Sequence, residues 1–327
     1  MKTMIGISKG MAVMTMIILL TACTSDNYDM EMTPKAKTPD VTDVISKIEN
    51  INAELEQLKT PFVTRGWKDW NRNKRNELVR ADFKGCYDGV KYGYKIGKQI
   101  DSSRGGCFGA IIGGVIGGGV SSWWKYRDMD HKLECNDADI ETISELCRSL
   151  AQKGDITESG ITNLDEALKG DSIVNNDLIL LSNLDALSLC IGKMHNTALA
   201  TFDGSSGPNM DKKDEKYPDK KIDAETIELQ LSLIDSKELK TKCKQIAIDI
   251  CTGEKNESDS TTDKIIRLFD ETLDSYTENA EDIAFIIGKY CEIIDSTADL
   301  TEEEKTQVKA AFSTALYSIS YWETKMK

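Results

Sequence analysis

The sequence predicts an all-α protein: a glycine-zipper helical hairpin joined to a multi-helix C-terminal body. Two observations carry that expectation. Glycine recurs every fourth residue in two series, Gly85, Gly89, Gly93 and Gly97, then Gly105, Gly109, Gly113 and Gly117, with Ser121 continuing the second. Elsewhere apolar residues recur at helical spacing, and runs alternating apolar with polar side chains are scarce. Four residues advance an α-helix by a little over one turn, so each glycine series lines one face and leaves a groove for another backbone.

In chain order, Lys2 and Lys9 precede the apolar run MAVMTMIILL, which closes on Leu20-Thr21-Ala22-Cys23. A basic start, a short apolar run and small residues before a cysteine make residues 1–22 a secretory signal peptide. The ending resembles a bacterial lipobox. That resemblance implies cleavage before Cys23, lipidation of Cys23 and attachment of the mature chain to a membrane. Asp26, Asp29 and Glu31 loosely resemble an acidic surface-export signal of Bacteroidetes lipoproteins. Residues 23–40 are polar, contain Pro34 and Pro39, and read as a tether.

Residues 41–130 read as N-terminal helices plus the hairpin. Val41, Val44, Ile45, Ile48, Ile51, Leu55 and Leu58 mark an amphipathic helix stopped by Pro61. Phe62 to Arg80 interleaves Trp67 and Trp70 with cations and reads as a helix with inward indoles and wet charges. The first glycine series carries Lys84, Lys91, Lys95 and Lys98, giving its helix a basic side. The second lies in a stretch, Cys107 to Trp124, with no charge in 18 residues. This length is at the lower edge for a bilayer core of ~30 Å. Eight glycines between Gly105 and Gly119 oppose a lone span, since each costs roughly 0.8–1 kcal/mol relative to alanine in a helix interior. A close partner is required, and the short connection Lys98–Arg104 makes the first series the nearest one. The expected antiparallel register pairs Gly97 with Gly105, Gly93 with Gly109, Gly89 with Gly113 and Gly85 with Gly117.

Residues 131–327 read as an α-helical domain. Asn136 or Asp137 caps a helix ending near Gly154, and Ser182 to Phe202 forms a longer one. Asp203 to Lys221 is a polar loop. Asp223 and Ser236 cap two further helices, and Thr301 with Glu304 makes a capping box for the last.

The formal charge is −14, yet Arg65–Arg104 holds 11 Lys/Arg against 5 Asp/Glu. An acidic body excludes nucleic acid as a natural partner, and the basic segment faces either anionic headgroups or the acidic remainder of the chain. Besides Cys23 there are eight cysteines. The register separates Cys86 from Cys107, and helical spacing separates Cys243 from Cys251, so neither pair is expected to join. His131 and His195 sit in no metal-ligand spacing, so no metal or cofactor site is expected and no catalytic residue is assigned. The sharpest catalytic alternative is a thiol hydrolase with Cys107 at a helix start and His195-Asn196 as base and orienter.

Ala81-Asp82 leading into the glycines, IGKMHNTAL around His195, and LTEEEKTQVKAAFSTALYSISYW at the C-terminus resemble a group of uncharacterised Bacteroidetes exported lipoproteins. No reaction follows from that resemblance. Asp171-Ser172-Ile173, Asp259-Ser260-Thr261 and Asp295-Ser296-Thr297 resemble the O-glycosylation sequon of that phylum. The expected function is a non-enzymatic lipoprotein of the outer membrane, on its periplasmic face or at the cell surface, with a protein or envelope partner. The alternative is a membrane-active protein that inserts the hairpin as a pore former or antagonist.

Overall fold

Between Trp67 and Ile100 there is no proline to interrupt a helix, and the chain runs through this stretch as one helix of 34 residues. At 1.5 Å per residue it is about 51 Å long. Residues 67–80 of the tryptophan-rich segment are its first turns and run into the first glycine series without a break. The computed structural model describes residues 42–58, 67–102, 104–129, 135–156, 184–202, 223–254, 259–276 and 280–326. The expected signal peptide, Cys23, the tether, the indoles of Trp67 and Trp70, His131, Asp171-Ser172-Ile173 and the loop at 203–221 lie outside them. The helices are α1 (Thr42–Leu58), α2 (Trp67–Ile100), α3 (Gly105–Met129), α4 (Asp137–Lys153), α5 (Ala186–Phe202), α6 (Ala224–Ile234), α7 (Lys237–Thr252), α8 (Thr261–Tyr276), α9 (Ala280–Ser296) and α10 (Glu302–Lys325). The fold is all-α, with no strand among the described residues.

Local signals set several of these ends. Asn136 caps α4, and Gly154 closes it in the left-handed conformation at φ 82°. Asp223 and Ser236 cap α6 and α7, and Thr301 with Glu304 closes a full capping box on α10. Helix α5 starts at Ala186 rather than Ser182, because the Asp185 carboxylate accepts the Ser188 amide and fixes the first turn there.

Two apolar cores flank α2. On one side Cys86 and Val90 pack with α3, Ile143 and Cys147 of α4, Ile191 and Met194 of α5, Leu233 of α6 and Cys243 of α7. On the other, Leu78, Val79, Phe83 and Tyr87 pack with α1, α8, α9 and α10 around Phe269, Tyr290 and Phe312. The ring of Phe269 lies 5.3 Å from Phe83 and 4.6 Å from Phe312. Segments 41–130 and 131–327 therefore share their interiors, and both belong to one compact unit.

Within the α2–α3 contact, backbone faces backbone. A methyl group at Gly93 would run into the carbonyl oxygen of Gly109, one at Gly89 into that of Gly113, and one at Gly97 into that of Gly105. At the far end Gly85 lies against the Gly117 carbonyl and Ser121, whose hydroxyl donates to Gly117 O at 2.6 Å. Alanine would gain about 1 kcal/mol of helix propensity at each glycine. It would also have to push two helix backbones apart, and overpacking of this kind costs about 3 kcal/mol. Gly93→Ala and Gly109→Ala are therefore expected to lower the melting temperature of the protein. The same changes should raise the helicity of an isolated 81–100 or 105–124 peptide. Both quantities can be read by circular dichroism.

Candidate functional site

The glycines named in the sequence form the seam of the hairpin, and they leave no opening between α2 and α3. Of the remaining glycines of α3, Gly106 faces Tyr94 and Lys98 of α2, Gly114 and Gly118 sit where α2 meets α5, and Gly119 faces α4 and α5. Gly114 faces Val90 and Ile191, Gly118 faces the Asp82 carbonyl and the His195 ring, and Gly119 faces Ile143 and Ala198. A second close crossing joins α5 to α10, where a methyl at Gly192 would collide with Ser313. That crossing is signalled in the sequence only by the run of small residues Ala310, Ala311, Ser313, Thr314 and Ala315.

The conspicuous chemistry inside the body is a buried polar cluster. Asp82, His195 and Ser318 are fully buried. One Asp82 oxygen lies 2.6 Å from His195 Nε2; the other accepts the Ser318 hydroxyl and the Trp322 indole N–H, the latter at 2.7 Å. The other ring nitrogen of His195 faces Asn196 Oδ1 at 3.2 Å, and the Asn196 amide is anchored on Tyr317 O at 2.8 Å. Three segments singled out in the sequence, around Asp82, His195 and Trp322, thus meet at one point. Serine donates to the carboxylate and not to the imidazole, so the order required of an activated hydroxyl is absent.

Cys107 and His195 are not brought together. Cys107 is exposed in the first turn of α3, whereas the His195 ring abuts Gly118, 11 residues farther along that helix, a rise of about 16 Å. Cys86 and Cys243 are buried thiols that approach the carbonyls of Ala310 and Gly113 at 3.7 Å. Burial pushes both thiols, with Cys147 and Cys190, up to about 12, which keeps them protonated and unreactive.

Several cations of α2 meet the chain's own carboxylates. Arg75 pairs with Glu323 at 2.8 Å, Arg80 with Asp270 and Asp274, and Lys84 with Asp270 at 2.5 Å. Past these pairs, an open groove of about 440 Å³ is lined by Lys91, Tyr94, Lys95, Lys98 and Gln99 of α2. Ser260 and Thr262 at the start of α8 and Glu303, Glu304 and Gln307 of α10 form its other walls. Lys91 lies 3.6 Å from Asp263, and the Lys98 ammonium sits 4.8 Å from the centre of the Tyr94 ring. Glu304 is occupied by the capping box, accepting from Thr301 N and Oγ1 at 2.8 Å, and Glu303 accepts from Gln307 at 3.2 Å. This groove is the candidate binding site. Comparison with protein-family models, curated proteins and solved structures gives no match.

Two measurements probe these groups. Removing Asp82 leaves buried donors without an acceptor, so Asp82→Leu should cost more than about 3 kcal/mol by urea unfolding, with Asp82→Asn less damaging. Near the groove, burial pushes the Asp88 carboxyl up to about 6, with Asp263 and Asp249 adding to the rise and Lys91 and Lys84 opposing it. The folded chain therefore holds that proton more tightly than the unfolded chain, and stability falls as pH rises from the ordinary carboxylate range through about 6. Asp88→Asn should be more stable than the parent at pH 7, with the gap closing near pH 4, as read from melting temperatures across that range.

Proposed function

We propose that this chain is a non-enzymatic lipoprotein, held on the outer membrane through acylated Cys23, whose helical body serves binding or envelope assembly. The observation that carries the reading is the position of α3. This helix is long and apolar enough to cross a membrane, yet 94% of its apolar window is buried within the body. Its glycine face is taken by α2, and its remaining faces by residues of α4, α5 and α7. Attachment then falls to the N-terminal cysteine of the lipobox-like LTAC sequence, and the folded body is left to present its surface.

The alternative, insertion of the hairpin as a pore former, would require α2 and α3 together to leave α4, α5 and α7 and to break the Asp82–His195 contact beside Gly118. Fractionation tests the choice. The parent chain should sediment with membranes and Cys23→Ser should not be acylated, while purified protein should leave dye-loaded liposomes intact. Dye release at the protein concentrations that saturate binding would overturn the proposal in favour of insertion.

A further inference from the structure

We infer that His195 carries a hydrogen on each ring nitrogen, so that the crossing of α2, α5 and α10 is held by a captured proton and acts as a pH-sensitive latch. Matching donors to acceptors leads to that state. The Asn196 side chain reaches the Tyr317 carbonyl oxygen at 2.8 Å, a contact that only its NH2 group makes. Its Oδ1 is therefore the atom turned to His195 Nδ1, at 3.2 Å, and a carbonyl oxygen has no hydrogen to give. Nδ1 must supply one. On the other side of the ring Nε2 lies 2.6 Å from Asp82 Oδ1, and a second hydrogen stands between them. The remaining Asp82 oxygen accepts from Ser318 and from the Trp322 indole, so the carboxylate has three donors and needs no hydrogen of its own. Both hydrogens then belong to the imidazole.

The groups that face the pair are neutral. Helix α3 offers the Gly118 backbone and α10 offers Ser318 and Trp322. The Cys86 thiol, one turn along α2 from Asp82, stays protonated because burial pushes it up to about 12. Arg75 and Glu323, on the flanks of the cluster along α2 and α10, pair with each other at 2.8 Å. An imidazolium beside a carboxylate adds no net charge, which suits two side chains that are both fully buried. Withdrawing one hydrogen sets two lone pairs face to face, at Asn196 or at Asp82, and loosens the hold of α5 on α2. In the unfolded chain histidine gives up that hydrogen near the ordinary value of ~6.5. Above it the folded chain holds one proton more, so stability falls as pH rises. Asp88 acts lower, its carboxyl being pushed up to about 6.

The test uses the full folded chain with 15N-labelled histidine at pH 7.5. Long-range proton–nitrogen spectra should show hydrogens on both nitrogens of the His195 ring. A bare nitrogen on that ring would overturn the inference, whereas a merely structural role would not require two hydrogens. Urea unfolding from pH 7 to 8 supplies the second measurement. The unfolding equilibrium constant of the parent should rise about ten-fold more per pH unit than that of His195→Gln, the signature of one proton. Buried thiols such as Cys86 and Cys243 add to the rise in both proteins, so the difference between the two isolates His195. Equal slopes would overturn the inference, and if His195→Gln does not fold, the spectrum of the parent decides alone.

Discussion

Contact between two helix backbones, carbonyl against Cα, is the constraint from which the rest of this fold follows. Such contact demands that side chains be absent from the facing surfaces, and α2 and α3 meet this with glycine at every fourth position. Glycine weakens both helices taken singly, so the hairpin depends on what surrounds it. The outward faces of α3 carry Ile111, Ile112, Val115, Ile116 and Val120, all fully buried. Four other helices, α4 to α7, cover them, and much of the body is arranged as a sleeve around one rod.

The Asp82 cluster locks that sleeve. A carboxylate with no access to water is costly unless donors surround it, and here the donors come from α5 and α10. Removing any one helix would strand polar groups on the other two. Gly118 belongs to the same arrangement, because a methyl group there would press on both the His195 ring and the Asp82 carbonyl. The polar interior thus specifies which helices touch and at what height, a task apolar packing alone performs loosely.

Much of the helical layout can be read from the chain. Capping residues and the four-residue glycine period are local signals, and Asn136, Asp223, Ser236 and Thr301 stand at the helix starts they mark. The charge imbalance marks the basic segment but leaves its counterpart open between headgroups and the chain's own carboxylates, and the pairs of Arg75, Arg80 and Lys84 show the latter. Less was readable wherever two distant segments had to be matched. Gly118 looked like part of a generic glycine-rich stretch, since nothing local names His195 as its neighbour. The crossing at Gly192 was hidden because small side chains on α10 also suit an ordinary buried helix. The groove eluded the sequence because its walls set α2 against α8 and α10, which lie more than 150 residues away along the chain.

Helix α2 is a party wall. Leu78 and Phe83 belong to one core while Cys86 and Val90 belong to the other, only a few residues apart on the same rod. Neither half can melt without stripping one side of a helix that the other half still needs. The two cores are thereby tied into one cooperative unit, and a partner that grips either side is felt on both.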